Sequence, residues 1–286
     1  MRRPTLLALV AFAVPVAAQP PDEKAATLRY VESHRDPATG AYRGTPSGKP
    51  SLRACNAAVK VVHYLGGSLA DREKVAAFVL GCYDPATGGF AEPGSKPDVG
   101  TTAVGVMAAA ELGLPADRFP KAVEYLHAHA RTFEDVRIGA AALEALNQRP
   151  DWLPEWFKLA DAQTNADGTA GKGDGTARDT GSVAAMRLRL GQEVPHRAKV
   201  VEALRAGQRP DGGFGKANEA GSDGESTYRV MRAFHLLTEK PADVPALRRF
   251  LAGCRNADGG SGVKPGEPSS LSGTYYAATV TKWLAE

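Results

Sequence analysis

Along this chain apolar residues recur at spacings of three and four in short blocks, most of them closed by a cluster of Pro, Asp and Gly. Ala25–His34, Val75–Cys82, Ala122–Ala130, Trp156–Gln163, Val200–Gln208 and Ala246–Arg255 carry charges between their Leu, Val, Phe and Ala positions, the pattern of a half-buried helix. The cluster that follows stops the helix, because Pro removes a backbone donor and Gly accepts the left-handed conformation of a cap. A second kind of block comes a short arm later. Thr101–Leu112, Val183–Leu190, Thr227–Leu237 and Thr274–Leu284 are rich in Ala, Val and other small or apolar residues and nearly free of charge, as befits helices buried on most sides. The pattern predicts a unit of two helices, an outer amphipathic one and an inner apolar one.

The unit repeats. The run Asp36–Tyr42 returns almost verbatim as Asp84–Phe90, and related turns stand at Asn165–Gly168, Pro210–Phe214 and Asn256–Gly260. Self-similarity at this period marks a stacked-repeat architecture. Inner helices are expected to start at Ser51, Asp98, Asp135, Asp179, Glu225 and Ser272, and the short step to Asp135 marks a third repeat without an arm, since Ala122–Ala130 runs almost directly into it. An open solenoid normally needs polar capping repeats, whereas the last repeat keeps its full pattern to Trp283-Leu284. An all-α, closed (α/α)6 ring of six helix pairs is therefore expected.

Residues 1–18 have the layout of an export signal: Arg2 and Arg3, an apolar run from Leu6 to Val16, then Val16-Ala17-Ala18 as a cleavage site. No cysteine follows the cut to carry a lipid, and no other apolar run approaches the roughly 18 residues of a membrane span. A soluble, extracytoplasmic protein with one domain over residues 19–286 is expected. Formal net charge is +3, with 35 Lys and Arg against 32 Asp and Glu scattered along the chain, so the basic patch of a nucleic-acid binder is missing. Cys55, Cys82 and Cys254 read as small buried hydrophobes. In a six-repeat ring Cys82 and Cys254 sit too far apart to bond, and Cys55 is the only partner that either could reach, with Cys82 favoured because its outer helix is expected to pack near the first inner helix.

Gln208-Arg209-Pro210-Asp211-Gly212-Gly213-Phe214 followed by Glu225-Ser226-Thr227-Tyr228, and Asn256–Gly260 followed by Ser272–Tyr276, resemble the repeat shared by protein prenyltransferase beta subunits and squalene or hopene cyclases. The resemblance spans the chain after residue 18 and implies an α/α toroid whose central cavity accepts an isoprenoid chain. It also implies, for the prenyltransferases, a zinc ion held by Asp, by Cys two residues on, and by a later His. Here the corresponding triplets read Asp98-Val99-Gly100, Asp135-Val136-Arg137 and Asp179-Thr180-Gly181, without a thiolate, and none of His34, His63, His127, His129, His196 and His235 falls at an inner-helix start. A zinc site needs three or four such ligands, so no metal and no cofactor are expected. The Asp-x-Asp-Asp run that the cyclases of this family use as acid is absent.

The candidate binding residues form a ring at one rim of the expected cavity: Asp98, Asp135, Asp179 and Glu225 with Arg53, Arg137, Arg178 and Arg229, and Tyr228 and Tyr275 beside them. The alternative for the aspartates and serines is helix capping, worth about 1 kcal/mol each, and for the tyrosines, space filling between helices. Inner-helix N-termini at one mouth would make it suited to anions. The function expected is an exported binding toroid for an isoprenoid-like, lipid or peptide ligand. The alternatives are a divergent prenyltransferase-like transferase and an (α/α) barrel enzyme using two rim carboxylates on a sugar.

Overall fold

A computed structural model describes residues 21–286; the export signal read at residues 1–18 lies outside them. Among the described residues there are twelve α-helices, two single turns of 3-10 helix and no strand longer than an isolated bridge. The outer helices are α1 (Pro21–Ser33), α3 (Arg72–Gly81), α5 (Ala122–His129), α7 (Leu153–Asp161), α9 (Arg197–Ala206) and α11 (Val244–Cys254). The inner helices are α2 (Leu52–Tyr64), α4 (Val99–Glu111), α6 (Phe133–Ala145), α8 (Thr176–Arg189), α10 (Gly224–Leu237) and α12 (Leu271–Ala285).

The inner helices pack in chain order and α12 packs against α2, so the ring closes. Small side chains allow this. Ala103, Val106, Ala108 and Ala109 of α4 and Ala140, Ala142 and Leu143 of α6 are fully buried between neighbours. The outer ring closes through backbone: Thr27 of α1 donates from Oγ1 to the Gly259 carbonyl at 2.9 Å, and Arg255 donates to the Glu23 carbonyl at 3.0 Å. Gly259 has φ +91°, and a Cβ there would stand 2.4 Å from the Ala26 carbonyl oxygen of α1. Gly212, φ +92°, lies equally close to the Ala246 carbonyl of α11. Only glycine permits that approach, and the same turn thus docks the fifth repeat on the outer helix of the sixth and the sixth on that of the first.

One hydrogen bond sets the register of each arm. The backbone N–H of Phe90, Ala170, Phe214 and Ser261 donates to the hydroxyl of Thr102, Thr180, Thr227 and Thr274, one turn into the following inner helix. In the first repeat Tyr42 donates to Cys55 Sγ at 3.3 Å, so Cys55 stands at a threonine position. The third repeat has no arm and no donor to satisfy, and Val136 occupies the place.

This register differs from the expected one after the second repeat. Ser51, Asp98, Asp223 and Ser270 are side-chain N-caps, and α6 is capped by Thr132 in a reciprocal box with Asp135. Helix α8 starts from a 3-10 turn at Gly173–Gly175. Asp135, Asp179, Glu225 and Ser272 therefore lie inside their helices rather than at the starts. All three cysteines are buried and free, and burial pushes each thiol up to about 12.

Candidate functional site

Six inner helices in a ring leave a face of each turned inward. In the corrected register Arg53, Gly100, Glu134, Arg178, Glu225 and Ser272 share one level near the N-terminal mouth. Charges of both signs meet there. Arg229 reaches Glu225 on its own helix at 2.7 Å and Glu134 on α6 at 3.0 Å, Arg137 pairs with Glu134 at 2.8 Å, and Arg178 lies 3.7 Å from Glu225. Burial alone would raise the Glu134 carboxyl, but Arg137 and Arg229 outweigh it and hold it at about 2. Glu225 is likewise lowered, burial being outweighed by Arg229 and Arg178. These carboxylates stay ionised and cannot act as acids near neutrality.

Below this belt a narrow chamber of about 120 Å³ is walled by Ala57, Val104, Met107, Ile138 and Ala141 with the rings of Tyr228, Tyr275 and Tyr276. Met107, Ala141, Arg189, Tyr228 and Tyr275 also border a wider chamber of about 360 Å³ at the C-terminal mouth, so the two are parts of one lumen with a waist. The wider chamber is polar: Lys60, Arg189 and Arg232 face Glu111 and Glu144 across it. Lys60 is 3.0 Å from Glu111, and Arg189 is 3.1 Å from Glu144.

At the waist Tyr228 and Tyr275 share a hydrogen bond of 2.8 Å between their hydroxyls, and Arg232 donates to the Tyr228 hydroxyl at 3.0 Å. The Arg232 guanidinium lies over the Trp283 ring, 4.3 Å from its centroid. Burial would raise the Tyr228 phenol, yet the Arg232 and Arg189 cations outweigh it and hold it below its ordinary value. Tyr275 moves the other way, well above its ordinary value, through burial and then Tyr228.

Of the sequence candidates, Arg53, Arg137, Glu225, Tyr228, Arg229 and Tyr275 line the lumen. Asp98 does not; it is exposed and caps α4, accepting from Thr101 N at 2.8 Å and Thr101 Oγ1 at 2.7 Å. Asp135 serves the Thr132 box. Asp179 borders a groove of about 380 Å³ beside the armless third repeat, along with Phe133 and Ser182. Sequence reasoning missed Lys60, Glu111, Glu144, Arg189 and Arg232. Their one signal is a charge inside an inner helix, and nothing local says that five helices bring them together.

The residues do not fit a zinc ion. Two positions past the caps of the inner helices, where a thiolate would be required, stand Arg53, Gly100, Glu134, Ala177, Glu225 and Ser272, and no group of three His, Cys, Asp or Glu side chains able to hold a metal occurs among the described residues.

Residues 4–134 and 176–285 match the model of the prenyltransferase alpha-alpha toroid domain. No curated protein matches the sequence. Among solved structures, the type II terpene cyclase MstE from Scytonema in its apo form superposes with a TM-score of 0.63 at 13% identity, over 92% of this chain and 96% of that one. A variant of that enzyme in complex with geranylgeranyl dihydroxybenzoate, its substrate, gives 0.62 at 13% identity over the same shares. At that identity the likeness is one of fold.

Proposed function

We propose, from the premise that this chain belongs to the prenyltransferase alpha-alpha toroid domain family, that it is an exported binding protein whose lumen holds an isoprenoid-type chain without zinc chemistry. The observation that carries this reading is the lumen itself. Its wider part, about 360 Å³, falls in the size range of about 300–1,000 Å³ for small-molecule sites. Its narrow part combines charged groups such as Arg53 and Arg137 with a wall of Ala57, Val104, Met107, Ile138, Ala141 and three tyrosine rings, and each methylene buried against that wall contributes about 0.8 kcal/mol. The fold neighbour binds a geranylgeranyl-bearing substrate, which supports the same ligand class. Export rests on the pattern of residues 1–18, and a zinc-free lumen on the missing thiolate.

The Glu134 and Glu225 pair does not support sugar chemistry. Glycoside cleavage needs one carboxyl held protonated, and Glu134 and Glu225, which share Arg229, are both lowered. A second reading, proton-transfer catalysis, is favoured by one observation, the Arg232 guanidinium 3.0 Å from the Tyr228 hydroxyl, a cation that lowers the phenol below its ordinary value and so makes it a better acid or base partner.

Calorimetric titration with isoprenoid alcohols of increasing length tests the proposal. Affinity is expected to rise with chain length, and Met107→Trp, which fills the waist, to weaken it by about tenfold or more. The alcohol should be recovered unchanged. Length-independent binding that ignores Met107→Trp would contradict a lumenal ligand, and a converted product would favour catalysis.

A further inference from the structure

Counting charge along the wider chamber leaves a surplus. Lys60 has Glu111 and Arg189 has Glu144. Arg187, on the outer side of α8, has Asp161, and Arg229 has Glu134 and Glu225. Arg232 has no carboxylate partner among the described residues. Its contacts are the Tyr228 hydroxyl and the faces of Tyr228 and Trp283, and its Nε has no hydrogen-bond partner. Arg189 is only 7% exposed and lines both chambers. A cation in an enclosed, poorly solvated site requires a counter-charge. Here the described lining of the chamber supplies one carboxylate too few, and Arg232 borders its open space.

We propose that the C-terminal mouth of the lumen is an oxyanion site for a single carboxylate head group, anchored by Arg232 with Arg189 and Lys60 beside it. The proposal rests on the reading of the lumen as a ligand cavity and names the ligand's polar end. The surplus of one positive charge favours a monoanion over a phosphate ester. A planar guanidinium also matches a carboxylate with two parallel hydrogen bonds. The hydrocarbon part then runs past the Tyr228–Tyr275 waist towards Val104, Ile138 and Tyr276. The depressed Tyr228 phenol registers the same uncompensated field, and with a carboxylate in place Tyr228 keeps its proton and donates.

The test compares farnesol, farnesoic acid, farnesyl phosphate and dodecanoate by calorimetry on the full chain and on Arg232→Met. Wild-type protein is expected to bind the acid about tenfold or more tighter than the alcohol, as charge-assisted hydrogen bonds imply. In Arg232→Met that ratio should collapse to near one, and the ligand-free variant should melt no lower than wild type, because an unpaired cation has gone. Equal wild-type affinity for acid and alcohol would overturn the oxyanion site and leave the isoprenoid reading standing. Tighter binding of the phosphate than of the acid would overturn the single-charge assignment. Dodecanoate binding as well as farnesoic acid would support the oxyanion site and count against an isoprenoid. Failure of all four to bind would overturn both readings. The wild-type comparison decides even where the variant does not fold.

Discussion

Tyr228 shows how a residue recognised in a sequence takes its role from groups far away in it. Its position in the Ser-Thr-Tyr motif made it a candidate, but its acidity comes from Arg232 one turn on and from Arg189 on the neighbouring helix. Lys60 on α2, Glu144 on α6 and Tyr275 on α12 face the same chamber. The phenol is held below its ordinary 10.0 in the folded state. The unfolded chain therefore holds the proton to higher pH, and the stability contributed by the ionised phenol is fully present above about pH 10 and is lost as pH falls through the lower folded-state value. Ultraviolet titration of the ligand-free protein should show one tyrosinate forming ahead of the others, and Tyr228→Phe should abolish that step. A titration with no tyrosinate below about pH 9 would contradict the cationic lumen. The charges that create this field escaped sequence reading because the inner helices were taken as nearly uncharged. In a ring, the inward face meets a lumen rather than core, and Lys60, Arg189 and Arg232 stand among other charges of their helices without a local periodicity to single them out.

At the level of elements, the helix pairs and the turns between them were legible in the sequence, and the missing arm of the third repeat was too. Helix starts were not. Polar clusters such as Ser270-Leu271-Ser272 and Asp223-Gly224-Glu225 offer two cap candidates each, and the arm's backbone decides between them by donating to a hydroxyl one turn later. That hydroxyl position, filled by Cys55, Thr102, Thr180, Thr227 and Thr274, is the better register mark. The series makes a prediction at its exception. Cys55→Thr should leave stability unchanged or raise it, since oxygen is the stronger acceptor for the Tyr42 N–H, whereas Cys55→Ala should cost about 1–3 kcal/mol by leaving a buried donor unmet. Urea unfolding measures both. Equal loss in the two variants would show that Cys55 matters for packing volume and not for the bond.

On the scale of the whole molecule, closure is what turns six amphipathic pairs into a container. It was inferred from a last repeat that keeps its pattern, and the structure realises it through α12 on α2 and Gly259 on α1. Gly259→Ala brings a Cβ to 2.4 Å from the Ala26 carbonyl oxygen, while Gly94, also at positive φ, has open space around it. Gly94→Ala should therefore show only backbone strain of about 1 kcal/mol, and Gly259→Ala about 2 kcal/mol or more beyond it. A Gly259→Ala protein as stable as Gly94→Ala would mean the outer ring is not joined there. The closed ring matters to function because it makes a lumen, and the central claim is that this lumen carries a hydrocarbon ligand and no zinc. Native mass spectrometry of the protein purified without detergent tests it most directly. The expected spectrum shows a fraction of chains heavier by one organic ligand, with the mass increment lost on organic extraction. A homogeneous species carrying one zinc ion per chain and no organic ligand would contradict it.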